Sequence, residues 1–282
     1  AREPALQARD QGEGAHEHAH PREQGGGFRR AVARASRPAL PPWQLEPHHS
    51  HYIVVDGGTD PSIGVVICHG YGASYEDLAG LSNEWISLLG DQGGKFRFIF
   101  PDAPNSLAEL GMPQGRAWWP INMARLAEAV QAANFEELHE HEPPGITEVR
   151  LALCETITAV KEQLVGDETP LVLGGFSQGA MLAMDTALRG YIAPPQLLIQ
   201  FSGTVICRPQ WQQAMDRLSG TAVFQSHGTI DPILPYASAE ALNQMLLTAG
   251  VKNKFHSFQG PHTIDLESVT LTAEMLRKIA FA

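Results

Sequence analysis

A chain of 282 residues with 43% hydrophobic content is long enough for one large α/β domain or two small ones, and can build a substantial core. Its net charge of −11 at pH 7 excludes the concentrated basic surface that phosphate recognition needs, so no nucleic-acid partner is expected. No apolar run approaches the roughly 20 residues of a membrane-spanning helix. The first residues lack the apolar centre of a secretory signal. Three scattered cysteines, Cys68, Cys154 and Cys207, suggest neither a disulfide framework nor a zinc site. Cys68 and Cys207 stand beside apolar residues and read as buried thiols, which favours a reducing, cytoplasmic setting.

In chain order, residues 1–45 are Gly, Pro, Ala, Arg, Glu and His with almost no branched apolar side chains, the composition of a disordered tail. The histidines there (His16, His18, His20) and just after it (His48, His49, His51) read as solvated tracts, so no metal is expected. From residue 50 to 282 short apolar runs alternate with amphipathic stretches, which predicts one α/β domain: a mostly parallel sheet of about seven strands flanked by helices. The strands are expected at residues 52–55, 63–68, 96–100, 170–174, 196–201, 222–226 and 254–258. The helices are expected at about 75–89, 123–141, 147–164, 178–189, 210–218, 237–249 and 265–280, the last with Leu266, Val269, Leu276 and Ile279 at helical spacing. The charged stretch 123–144 reads either as a solvated helix or as a mobile cover near a site.

Within this pattern, Gly175-Phe176-Ser177-Gln178-Gly179 lies between the apolar run Leu171-Val172-Leu173 and a helix-forming segment ended by Gly190. Strand, Gly-x-Ser-x-Gly, helix is the context of a nucleophile elbow. A serine hydroxyl is a weak nucleophile at neutral pH and needs a base, itself oriented by a third group. Where such an elbow carries catalysis, the acid and then the histidine follow in the chain, which leaves His227, His256 and His262. His262, in a turn after a strand and before the last helix, is best placed as general base and acid. Asp231, in the loop after the strand ending near Ser226, is the expected orienting carboxylate. Asp265 is the other acid available, and reads as a helix N-cap. Oxyanion donors are expected at the Gln178 N–H and, in the loop His69-Gly70-Tyr71-Gly72, at the Tyr71 N–H. Trp118 and Trp119 read either as packing anchors or as walls of an acyl or alcohol pocket.

The motifs Val65-Val66-Ile67-Cys68-His69-Gly70-Tyr71-Gly72, Gly174-Gly175-Phe176-Ser177-Gln178-Gly179-Ala180, Ser226-His227-Gly228-Thr229-Ile230-Asp231-Pro232-Ile233-Leu234-Pro235 and Gly260-Pro261-His262 occur in that order. Together they resemble the phospholipase/carboxylesterase family of α/β-hydrolases, which includes the acyl-protein thioesterases. The resemblance covers about residue 50 to 282. It implies an α/β-hydrolase with the triad Ser177, Asp231 and His262, needing no metal or cofactor, and supports Tyr71 and Gln178 as oxyanion donors. The segment Gly115-Arg116-Ala117-Trp118-Trp119-Pro120-Ile121 is more similar to bacterial carboxylesterase members than to the thioesterases, and the stretch 123–144 is longer than theirs. The expected activity is cleavage of small-molecule carboxylic esters of short or medium acyl chain, with acyl thioesterase and lysophospholipase as rivals. A non-catalytic binding protein on the same scaffold is the alternative of another class. A homodimer is left open.

Overall fold

The computed structural model describes residues 30–33, 51–132, 134–164 and 169–281. The histidine tracts before His51 lie outside the described residues. Eight strands form one sheet in the order β1-β2-β4-β3-β7-β8-β9-β10. They are β1 (Arg30–Ala33), β2 (Tyr52–Asp56), β3 (Ile63–Cys68), β4 (Phe96–Pro101), β7 (Leu171–Phe176), β8 (Leu197–Phe201), β9 (Ala222–Gly228) and β10 (Lys252–Phe258). From β4 to β10 every pairing is parallel, while β2 runs antiparallel to β4 and to β1. Two dipeptides, β5 (Asn105–Ser106) and β6 (Arg116–Ala117), form a small separate ladder.

The inner parallel strands β3, β7 and β8 are largely apolar on both faces because helices cover both, whereas the edge strand β10 carries polar, partly exposed residues. Alternation along each strand divides the core in two. Val66, Cys68, Leu173, Leu198 and Val223 face α4 (Ile146–Lys161), α5 (Gln178–Arg189), α6 (Arg208–Ala214) and α7 (Tyr236–Thr248). Val65, Ile67, Val172, Ile199 and Phe224 face α1 (Tyr75–Leu89) and α8 (Leu266–Ala280). Each such aliphatic side chain contributes about 1.5–3 kcal/mol on full burial. On the second face Trp85 of α1 packs against Phe98 and Phe201, and its Nε1–H donates to Thr272 Oγ1 of α8 at 2.9 Å.

All seven expected strands are present, and the expected helices coincide with observed ones apart from two. The stretch expected as a single helix at 123–141 is instead α2 (Met123–Ala132) and α3 (Glu136–Glu140). Phe135 turns inward and is buried, and the Glu136 N–H donates to Asn134 Oδ1 at 3.2 Å, so the chain restarts as a second helix. The helix expected at 210–218 starts two residues earlier as α6 and ends in a 3-10 turn, Met215–Leu218. Strand β1 falls inside the segment expected to be a structureless tail; its backbone pairs with β2, from Arg30 opposite Val55 to Ala33 opposite Tyr52.

Candidate active site

Strand β7 sits between β3 and β8, with Gly175 opposite Cys68 on one side and Gln200 on the other. At its end Ser177 takes φ 56°, ψ −118°, a conformation that costs a non-glycine residue on the order of 1–3 kcal/mol. The turn is held by the Ser177 N–H donating to Phe201 O at 2.9 Å. Both elbow glycines are required by space. A Cβ on Gly175 would lie 2.5 Å from the Gly179 carbonyl carbon and 2.6 Å from Cys68 O. One on Gly179 would lie closer still to the Cys68 and His69 carbonyl oxygens. Strand β3, strand β7 and the start of α5 are therefore in contact through hydrogen atoms alone. The first turn of α5 leaves its leading N–H groups without intrahelical acceptors.

Asp231 and His262 come from the loops after β9 and β10. Gly228 allows these loops to meet, since a Cβ there would lie under 3.0 Å from the Gly260 and Pro261 carbonyl oxygens. His262 Nδ1 is 2.6 Å from Asp231 Oδ2. Asp231 Oδ1 accepts the N–H groups of Ile233 and Leu234 at 2.8 and 2.9 Å. Burial pushes the Asp231 carboxyl up, but hydrogen bonds from His227 and His262 outweigh it and hold the group well below the usual carboxylate range. With its Nδ1–H on Asp231, His262 leaves Nε2 free to accept a proton. The Phe176 ring, adjacent to Ser177, packs on the His262 ring at 4.7 Å.

The remaining histidine and acid candidates are otherwise occupied. His227 is fully buried, donates Nε2–H to Leu234 O at 2.7 Å and approaches Asp231 Oδ2 at 3.2 Å. His256 pairs with Asp265 at 3.1 Å, and Asp265 also accepts the Ser268 N–H as the N-cap of α8. His256, Asp265 and Glu267 are also the one group of potential metal ligands among the described residues, and Glu267 is exposed. Ser202 was missed by sequence reasoning. It stands at φ 49° after β8 and its hydroxyl donates to Thr263 O at 3.1 Å, holding the loop that carries His262. The cysteines are poor rivals as nucleophiles, because burial raises the Cys68 and Cys154 thiols and pushes Cys207 up to about 12.

The loop bearing Tyr71 passes directly over the elbow. A Cβ on Gly70 would touch the Phe176 ring at 3.1 Å and Ser177 Cβ at 3.5 Å. His69, which begins this loop, donates Nδ1–H to Gly70 O at 2.8 Å and accepts the Ala103 N–H on Nε2 at 3.0 Å. It is a buried brace. Gly72, at φ 83°, donates to Arg116 O at 2.9 Å.

Trp118 and Trp119 are both buried but do different things. Trp118 donates Nε1–H to His69 O at 2.8 Å and borders a cleft of about 150 Å³. Trp119 lines a cavity of about 500 Å³ with Ile121, Leu126, Phe135, Met181 and Leu234. Met181 lies one helical turn beyond Ser177 and Leu234 three residues beyond Asp231, while Ser177, Asp231 and His262 themselves do not line the cavity. Helices α2 and α3 form its outer wall. They are anchored by the Arg125–Glu137 pair, by Arg208 to Glu136 at 2.7 Å, and by His139. His139 accepts Arg208 Nη2 on Nδ1 at 2.6 Å and donates Nε2–H to Ser238 Oγ at 3.0 Å. Burial, then the Arg208 charge, lowers its pKa.

A parallel sheet with the Gly-x-Ser-x-Gly turn at the end of a central strand, and a carboxylate–histidine pair from later loops, is the architecture of an α/β-hydrolase. The chain belongs to the phospholipase/carboxylesterase family, whose model matches residues 49–280. It is thus a hydrolase. It is similar to acyl-protein thioesterase 1 of Debaryomyces hansenii, 27% identical over 210 residues that cover 70% of this chain and 82% of the relative. Among solved structures it is similar to esterase PE8, with a TM-score of 0.64 and 27% identity over 79% of this chain and 95% of that one. A carboxylesterase from Mesorhizobium loti shares the fold at 13% identity, with a TM-score of 0.59 and coverage of 80% and 94%. Among the described residues no helix is long and apolar enough to cross a membrane.

Proposed function

We propose that this hydrolase cleaves carboxylic esters of short or medium acyl chain through an acyl-enzyme on Ser177. The observation that carries the reading is the 2.6 Å contact of His262 Nδ1 with Asp231 Oδ2, because it leaves His262 Nε2 available as a base in a ring that packs on Phe176, the residue before Ser177. Ser177 Oγ attacks the ester carbonyl carbon while its proton passes to His262 Nε2. The Tyr71 and Gln178 N–H groups receive the negative oxygen, each contributing roughly 3 kcal/mol. Collapse breaks the bond to the alcohol oxygen, which takes the proton from Nε2. Water, deprotonated by Nε2, then attacks the acyl carbon, and the acid leaves as Ser177 recovers its hydrogen. Trp119 stands in the wall of the acyl cavity, whose volume of about 500 Å³ lies in the range of small-molecule sites. Three free, buried cysteines support a cytoplasmic setting.

A second reading, acyl thioester hydrolysis, is favoured by the thioesterase relatives and uses the same acyl-enzyme. Turnover of p-nitrophenyl esters, acyl thioesters and lysolipids of graded chain length separates the two. The S177A variant should lose nearly all turnover of every substrate while melting like the wild type; undiminished turnover would refute the mechanism.

A further inference from the structure

The Gln178 side chain, which the mechanism above does not use, is almost fully buried and spans a gap between two parts of the site. Its Oε1 accepts the Trp118 N–H at 2.9 Å and its Nε2 donates to Trp119 O at 2.9 Å. One amide thus grips one peptide segment with both arms, and the donor–acceptor pattern fixes its orientation. The gripped segment is itself braced. Asn105 Nδ2 donates to Ala117 O and Trp118 O, each at 3.0 Å. Arg116 O accepts the Gly72 N–H at 2.9 Å, and Trp118 Nε1–H reaches His69 O at 2.8 Å. Residues 116–119 therefore touch both proposed oxyanion arms, the loop through Tyr71 and the first turn of α5. The same segment continues without a break into Trp119, Pro120, Ile121 and Asn122, one wall of the 500 Å³ cavity, and then into α2.

From this geometry we infer that the Gln178 side chain is a positioning and specificity-determining residue, which couples occupancy of the acyl cavity to the placement of the oxyanion donors. A chain that fills the cavity presses on the wall formed by Trp119 to Asn122. Because that wall is pinned to Gln178, the pressure steadies the residue whose N–H meets the developing oxyanion. A short acyl group leaves the wall unloaded and gains nothing from the link. The coupling therefore favours longer chains in kcat, where transition-state interactions register, more than in KM. This inference rests on the acyl-ester reading.

The test compares wild type, Q178M and Q178E on p-nitrophenyl acetate and octanoate, with active sites counted by a fluorophosphonate. Q178M keeps the side-chain volume and loses both bonds; Q178E keeps the acceptor for the Trp118 N–H and serves if Q178M does not fold. The octanoate-to-acetate ratio of kcat should fall roughly tenfold in Q178M, the scale set by losing two buried hydrogen bonds, with a smaller change in the KM ratio. Equal slowing of both esters would overturn the coupling and leave Gln178 a merely structural side chain. Wild-type protein that neither reacts with the fluorophosphonate nor turns over either ester would instead overturn the hydrolytic reading itself.

Discussion

His262 and Asp231 lie 31 residues apart in the chain, yet their Nδ1 and Oδ2 atoms are 2.6 Å apart, while the other Asp231 oxygen is held by the N–H groups of Ile233 and Leu234. With Oδ1 fixed by backbone, Oδ2 is aimed at the histidine. D231N should keep this geometry but present the wrong hydrogen-bonding partner, lowering kcat by about 10³–10⁴. D265A, which removes the N-cap of α8, should leave kcat near wild type and cost about 1 kcal/mol of stability by denaturant titration. The reverse ranking of the two in kcat would assign the acid to Asp265.

The two strongest pH predictions follow from groups whose pKa is depressed in the folded state. Asp231 is held low, so its contribution is complete above the unfolded carboxylate value of about 3.9 and disappears as pH falls toward its folded value. The stability difference between wild type and D231N should therefore shrink steadily below about pH 4. His139 also has a lowered pKa. Its contribution to anchoring α3 is complete above the ordinary value of about 6.5 and is lost as pH falls through the folded value, because protonated Nδ1 can no longer accept from Arg208. Protection factors at residues 136–140, which remove the intrinsic pH dependence of amide exchange, should fall on acidification, and H139Q should flatten that response. Protection that is independent of pH would remove His139 as the anchor.

Glycine substitutions should sort by the space behind them. G179A forces a methyl against two carbonyl oxygens and should cost roughly 3 kcal/mol, with loss of activity. G80A, on the exposed side of α1 with nothing within 4 Å, should stabilise by roughly 0.5–1 kcal/mol. Thermal melts of the two variants, moving in opposite directions, are the check.

Removing the outer wall of the cavity should change selectivity. Deletion of residues 128–138 takes away Phe135 and Leu138, both of which line it. The optimum acyl length of the deletion variant should shift, as read from kcat/KM across a C2–C12 ester series. An unchanged profile would deny α2 and α3 any part in choosing substrate.

Much of this was legible in local sequence. The elbow and the strand positions announce themselves because buried parallel strands are short apolar runs and the Gly-x-Ser-x-Gly turn has little steric freedom. Chain order and loop position single out Asp231 and His262, two side chains that lie 2.6 Å apart in the fold. What stayed hidden depends on contacts distant in the chain. The division of labour between Trp118 and Trp119 depends on which neighbour in sequence points toward His69 and which toward Met181. The grip of the Gln178 side chain reaches a loop 59 and 60 residues away. The strained Ser202 gives no signal, since serine is rarely at positive φ. The break at Phe135 did leave one: Asn134 ahead of Glu136-Glu137 is a helix-start pattern.

The central claim is that Ser177 is the nucleophile, activated by the His262–Asp231 pair. Its most direct test is labelling with a fluorophosphonate, followed by intact-mass and peptide mass spectrometry. One adduct per chain on the peptide containing Ser177, greatly slowed in D231N and absent in S177A, is the predicted result. An unlabelled wild-type protein, or an adduct that persists in S177A, would contradict the account.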